Sequence, residues 1–336
     1  MDVLSYRNIV YPGDGGLPLN LAALSGVREG LLRTELEIGF GNGEFTARYA
    51  AARTDTLVIG LEVSPACIER CIRRMKGLSN LKVICADARF MMKELFADAS
   101  LDRVVMNFPC PWPKTRHARR RVANRDFADD LAAVLKTGGV FELVTDVDGY
   151  AADARRVLGE HEALTAAECE TNPARPVTTK YERKWLEMGR NITRLLVTKT
   201  KPFTVGRKTW QFYERNQETE EGEEHKESRE ERMHVRTGRP LPDGGLDFLV
   251  GASGARGEAR WVFKKYYAAA SDAGRTYLVE TVSADDGFEQ RYYLKATGDG
   301  SALVKLDGTS RVYLTPAVRC AVEDLARRLT EYNIGS

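Results

Sequence analysis

Long apolar runs are missing from this 336-residue chain. No stretch approaches the ~18 residues that a helical membrane span needs, so a membrane partner is not expected. Residues 1–10 lack the apolar centre of a secretory signal. Cysteine is scarce: six residues, none in a Cys-x-x-Cys pair, with Cys67 and Cys71 four apart at helical spacing. That excludes a disulfide framework and gives no metal site, and it fits reduced thiols in the cytoplasm. Histidine is scarcer still, and of the four only His117 falls in a motif. A net charge of +2 names no partner by itself, while 43% hydrophobic and 29% charged residues exclude disorder or a collagen-like chain as a whole. The length suggests about two domains.

What charge there is, is segregated. Residues 114–125 hold six bases (Lys114, Arg116, Arg119, Arg120, Arg121 and Arg125) and no acid, whereas 214–232 hold nine acids and four bases. The first cluster suits an anionic polymer. The second lies in a stretch, 201–232, that reads as a charged linker between a domain over 1–200 and a smaller one over 233–336.

The first 200 residues alternate apolar runs with helical patterns. Runs at 35–38, 57–63, 81–85, 104–108 and 140–145 predict five strands. Helical spacing follows at 43–53, at 65–76 behind Ser64 and Pro65, from Asp87 to Phe96, and at 127–135. Strands apolar on both faces predict a parallel, Rossmann-like sheet with helices on both sides; 191–197 reads as a late antiparallel strand. Beyond residue 232 the expectation is a small, mainly antiparallel β domain. Its strands are placed at 276–282, 290–296, 302–306 and 311–314, and a terminal helix starts at Thr315–Pro316.

Gly39, Gly41 and Gly43 follow the first strand and open the first helix, where glycine lets the backbone turn tightly beside a ligand. Glu62 ends the second strand 19 residues after Gly43, the place where ribose hydroxyls are held in doubly wound folds. Asp87, after the third strand, is placed to meet an adenine amino group. Glu37, just before the glycines, suits an ammonium. The third glycine comes one residue earlier than a dinucleotide fingerprint requires, and Glu44 at the helix start opposes a pyrophosphate. Sulfonium-bearing S-adenosylmethionine, which has no phosphate, is therefore favoured over NAD.

After the fourth strand, Pro109, Pro111 and Pro113 alternate around Cys110 and Trp112, then lead into Lys114, Arg116 and His117. The prolines fix a rigid extended loop at the ligand-binding edge. Trp112 offers a flat face to a base, and the arginines suit phosphates.

These segments, with Thr145–Asp146 and with Thr179, Lys180, Tyr181 and Glu182, run in order over about residues 33–200, and the chain resembles the tRNA (guanine-N7)-methyltransferase family. The resemblance implies a class I methyltransferase fold and methyl transfer from S-adenosylmethionine to N7 of a variable-loop guanosine in tRNA, with no obligatory protein partner. It places Glu37, Gly39, Gly41, Gly43, Glu62, Asp87 and Cys110 at the cofactor. It places Lys114, Asp146, Thr179, Lys180, Tyr181 and Glu182 at the guanosine, and Arg116, His117, Arg119, Arg120 and Arg121 at RNA. The family carries an aspartate, assigned to cofactor and catalysis, where this chain has Cys110. N7 bears a free lone pair and no proton, so attack on the methyl needs alignment and charge stabilisation rather than a base. Cys110 then reads as a neutral filler, or as a thiolate if Lys114 or the arginines lower its pKa, with Asp146 or Glu182 supplying negative charge. The competing reading is a tRNA-binding protein of the same fold with weak or no transfer. A methyltransferase for an exocyclic amine fits the proline loop less well, and a dehydrogenase fails on glycine spacing. The C-terminal residues offer RNA surface through Arg319, Arg327, Arg328 and Lys264–Lys265, or act as a stabilising appendage.

Overall fold

The computed structural model describes residues 7–11, 17–25, 33–110, 124–207, 234–269, 275–285, 288–298, 300–308, 310 and 312–332. The chain divides into two compact units, Met1–Lys208 and Thr209–Ser336.

The first unit is built on β1 (Arg33–Ile38), β2 (Thr56–Glu62), β3 (Leu81–Cys85), β4 (Leu101–Asn107), β5 (Leu135–Thr145), β6 (Leu164–Ala166), β7 (Glu170–Thr171) and β8 (Thr193–Lys199). The order across the sheet is β3-β2-β1-β4-β5-β8-β6, with β7 also on β8. β1 to β5 are parallel, and β8 runs antiparallel to β5. Order reverses between β1 and β4, so the crevice at their carboxyl ends is the expected ligand position. β2 is buried along almost its whole length, as a strand covered on both faces must be.

The helices are α1 (Leu21–Leu24), α2 (Glu44–Ala51), α3 (Pro65–Ile72), α4 (Ala88–Leu95), α5 (Arg125–Val134), α6 (Asp148–Gly159) and α7 (Lys180–Glu187). Ser64 and Pro65 open α3 and Asp87 caps α4, as the sequence predicts. Ile68, Cys71, Ile72 and Met75 pack with Val58 and Val83 in one core, so Cys67 and Cys71 belong to a helix against the sheet. The fifth strand starts earlier than the apolar run at 140. Leu135 already pairs with Leu101, and the register shifts before Val140 pairs with Arg103. Gly138 takes a positive φ in that irregular stretch, which interrupts the apolar pattern. Residues 201–207 pack on this unit: Arg207 donates to the Lys93 and Phe96 carbonyls and to Asp98.

The second unit is an antiparallel sheet in the order β10-β11-β12-β13-β14-β9. Its strands are β9 (His234–Arg236), β10 (Ser253–Arg256), β11 (Ala259–Ala269), β12 (Thr276–Asp285), β13 (Phe288–Thr297) and β14 (Leu303–Leu306), and helix α8 is Pro316–Tyr332. Trp261, Phe263, Val279, Leu294 and Val304 form one core with Val318, Ala321, Leu325 and Leu329 of α8. The sequence reading missed β11 because a bulge between Phe263 and Lys265 breaks its alternation. Its expected strand at 311–314 does not form among the described residues. Instead the Gln290 side chain exchanges two hydrogen bonds with the Tyr313 backbone, at 3.1 and 2.8 Å, in place of a ladder.

Candidate functional site

The site is assembled at the carboxyl ends of β1, β2, β4 and β5. Gly39, Gly41 and Gly43 all adopt positive φ, which L side chains resist. A Cβ on Gly43 would fall 2.2 Å from Cys71 Sγ, so α3 packs directly against the turn. A Cβ on Gly39 or Gly41 would meet nothing within 4 Å, so the turn borders open space at the strand edge. Glu62 organises this turn: its carboxylate accepts from the Gly41 amide at 2.9 Å and the Ser64 amide at 3.0 Å. Two lone pairs remain on those oxygens for hydroxyl donors.

Glu37 lies one layer deeper. It is buried, accepts from Thr46 Oγ1 at 2.6 Å and from the Asn107 amide at 3.0 Å. Burial raises its pKa from an ordinary 4.5 to about 7, against the lowering effect of those two bonds and of nearby Arg175.

Arg175, which the sequence reading did not single out, is the hub. Its side chain is 3% exposed. Its guanidinium donates to Glu182 at 2.6 Å, to Asn107 Oδ1 at 2.8 Å and to Glu142 at 3.2 Å, and it lies over the Phe45 ring. Accepting from Arg175 fixes the Asn107 amide so that its NH2 points to Glu37. The network continues through Arg103, which joins Glu142 to Tyr49 and Glu35. A signal for it existed in the sequence: Glu142 sits inside the apolar run 140–145, and a carboxylate buried mid-strand requires a charged partner. No spacing rule points to Arg175 as that partner.

Thr179 and Glu182 form a capping box that starts α7. The Glu182 carboxylate, 3% exposed, is occupied by Arg175 and the Thr179 amide at 3.2 Å. Glu182, expected to supply negative charge to the purine, is thus held inside the protein by Arg175 and the start of α7. Lys180 and Tyr181 face solvent from the first turn of α7. Asp146, just beyond β5, faces Arg190 at 3.7 Å, and Arg190 stacks over Trp185. Asp87 accepts from the Arg89 amide at 3.0 Å and pairs with its guanidinium at 2.5 Å, so its carboxylate serves the start of α4. Glu44, expected to oppose a pyrophosphate, pairs with Arg183 at 2.5 Å; that pairing lowers its pKa and directs its charge to α7. Cys110 is an exposed free thiol. Trp112, Lys114, Arg116, His117, Arg119, Arg120 and Arg121 lie outside the described residues. Among the described residues no metal-ligating cluster occurs, and no helix is long and apolar enough to cross a membrane.

Comparison with known proteins gives a concordant picture. A family profile described as "Putative methyltransferase" matches residues 33–195. A tRNA (guanine-N(7)-)-methyltransferase of Thermotoga maritima is 34% identical over 299 residues, covering 88% of this chain and 88% of that protein. An alignment of that length is longer than the first unit and runs into the second. The enzyme of the same name from Thermus thermophilus is 43% identical over 169 residues, 49% of this chain and 53% of that protein. The one from Nitrosomonas eutropha is 36% identical over 168 residues, 49% and 75% respectively.

Proposed function

Since the chain belongs to the tRNA (guanine-N7)-methyltransferase family, we propose that it transfers the methyl group of S-adenosylmethionine to N7 of a variable-loop guanosine in tRNA, in the cytoplasm. One observation carries the reading: an open glycine turn flanked by Glu37, buried with a pKa near 7, and Glu62, held by two backbone amides. That pair matches an ammonium and a ribose, and the residues fit the cofactor. Catalysis belongs to residues 1–200, with 201–232 as the connection and 233–336 as an accessory domain.

In this reading Glu37 faces the ammonium, Glu62 holds the ribose hydroxyls and the glycine turn admits the ligand's backbone-hugging approach. When bound, the cofactor supplies an electrophilic methyl on a sulfonium. N7 supplies its own lone pair and loses no proton, so no side chain acts as a base. What the protein contributes is alignment and a negative charge near the purine as it becomes cationic. Asp146 at the end of β5 is the carboxylate for that role, with Arg190 holding it in place. Lys180 and Tyr181 are the solvent-facing contacts of the segment tied to Arg175. Lys114 completes the guanosine contacts and the following arginines hold RNA phosphates. Incorporation of labelled methyl into a tRNA transcript tests the proposal; none with the intact chain contradicts it.

Two consequences concern the cofactor alone. Glu62→Ala removes charge-assisted bonds to the ribose worth on the order of 1.5–3 kcal/mol, and also frees the Gly41 and Ser64 amides. Calorimetry should show cofactor binding weakened at least about tenfold, with tRNA affinity unchanged. An unaltered cofactor Kd removes Glu62 from the site.

The second consequence is a pH dependence. Burial raises Glu37 to about 7, so the free protein carries it largely protonated below that pH. A cationic ligand needs it ionised. Binding below about pH 7 should therefore release a proton, and cofactor affinity should rise with pH up to about 7 and then flatten. For the ligand-free protein the sign is opposite. A folded-state pKa raised above 4.5 contributes stability at low pH, and that contribution is lost as pH rises towards 7. Glu37→Gln should flatten both profiles. A cofactor Kd that is independent of pH between about 6 and 8 rules out the coupling.

A further inference from the structure

The second unit buries one face of its sheet under α8 and leaves the other without a covering element among the described residues. The register defines that other face. Lys265, Glu280 and Tyr293 lie in one row across β11, β12 and β13. Tyr267, Leu278, Lys295, Lys305 and His234 lie in the next, from β11 across to β9. Thr276, Thr297, Leu303 and Arg236 form a third. Residues of opposite parity, such as Val279, Leu294 and Val304, face α8.

Two features set this face apart from an ordinary solvated sheet. The first is charge. Among the described residues it presents six bases, Arg236, Arg260, Lys265, Arg291, Lys295 and Lys305, against two acids, Glu280 and Glu289. Glu280 is already taken up by Arg291 at 3.4 Å. Among the described residues none of the other five bases is ion-paired. The second is the pair of tyrosines in the middle of the lysines. Tyr267, 48% exposed, and Tyr293 stand edge to face with centroids 6.2 Å apart across β12. Aromatic faces among unpaired cations on an open antiparallel sheet are the arrangement that stacks unpaired bases while holding the phosphates between them. An acidic protein surface would use the charges, whereas a run of unpaired nucleotides uses both the charges and the two rings, each base having a π-face.

We infer that the open face of the C-terminal sheet binds single-stranded RNA, stacking unpaired nucleotides of the tRNA on Tyr267 and Tyr293 with Lys295 and Lys305 on the phosphates. The tRNA as occupant rests on the proposed function; the chemistry of the face does not. Of the basic residues that the sequence offered for this role, Lys265 lies on this face, whereas Arg327 and Arg328 on α8 are both paired with Asp324.

The test uses the full-length chain and a fluorescein-labelled tRNA transcript. Tyr267→Ala/Tyr293→Ala should weaken tRNA binding roughly ten- to a hundredfold, while Tyr267→Phe/Tyr293→Phe keeps the parent affinity because stacking survives. Lys295→Gln/Lys305→Gln should flatten the plot of log affinity against log salt by about 0.7 for each lost contact. In all variants the KM for tRNA should follow the binding constant, with turnover at saturating tRNA and cofactor affinity unchanged. An unfolded variant is recognised by its melting curve, and the phenylalanine pair then still separates stacking from folding. Parent-like affinity and salt slope in the alanine and glutamine variants overturn the inference. A parent that transfers no methyl group, yet loses tRNA affinity in these variants, overturns the proposed function and leaves the inference standing.

Discussion

Replacing Arg175 by methionine is expected to lower the melting temperature of the first unit more than any other single change in the site. The substitution leaves Glu142 and Glu182 buried without their shared cation. Breaking a buried pair from one side costs about 3–5 kcal/mol, or roughly 6–20 °C in a unit of this size. Function should fall with it. Asn107 loses the bond that fixes its amide, and with it the donor to Glu37; the Thr179–Glu182 cap loses its anchor. Arg175→Lys makes the distinction between charge and geometry. It restores a cation but not three directed donors, so it should recover part of the melting temperature while cofactor affinity stays below the parent's. Scanning calorimetry and cofactor titration on the two variants read this out. A methionine variant that melts like the parent contradicts the network's role.

Asp146→Asn is expected to lower single-turnover methyl transfer by roughly 10²-fold or more, the scale of losing one preorganised electrostatic partner. Asparagine keeps the shape and removes the charge. Cys110→Ala, by contrast, should change the rate only modestly, because transfer to N7 removes no proton and needs no acceptor at that position. Cys110→Asp should preserve or raise activity by adding a carboxylate beside the purine. Abolition by Cys110→Ala together with a parent-like Asp146→Asn would mean that the thiol is chemically engaged and that the charge does not come from Asp146.

The first sheet was legible because strands buried on both faces read as unbroken apolar runs, and because Ser64, Asp87 and the glycines after β1 mark the junctions. The antiparallel β8 was legible from its short apolar centre, Leu195–Val197, although its burial alternates along the strand. β11 was not, since its bulge changes the parity of its side chains midway. α7 carried its own signature, Thr179 with Glu182 three residues on, but the same residues also carried the family resemblance, and a functional reading displaced the capping one. In the site, the glycine turn and the acids Glu37 and Glu62 follow from strand-end position, which a sequence reveals. What escaped is the ion-pair network. Arg175 meets Asn107, Glu142 and Glu182 across separations of 68, 33 and 7 residues, and only the packing of β4 and β5 beside the segment before α7 brings them together. The same network shows why an acid's presence in a motif does not make it reactive: Glu182 is spent on structure, and Glu44 on Arg183.

The most direct measurement is transfer of a labelled methyl group to two tRNA transcripts, one with its natural variable-loop guanosine and one with adenosine there, followed by chain cleavage at 7-methylguanosine. The account predicts label and a cut in the variable loop of the first transcript and neither in the second. Equal labelling of both transcripts, or saturable tRNA binding with no label in either, would contradict it.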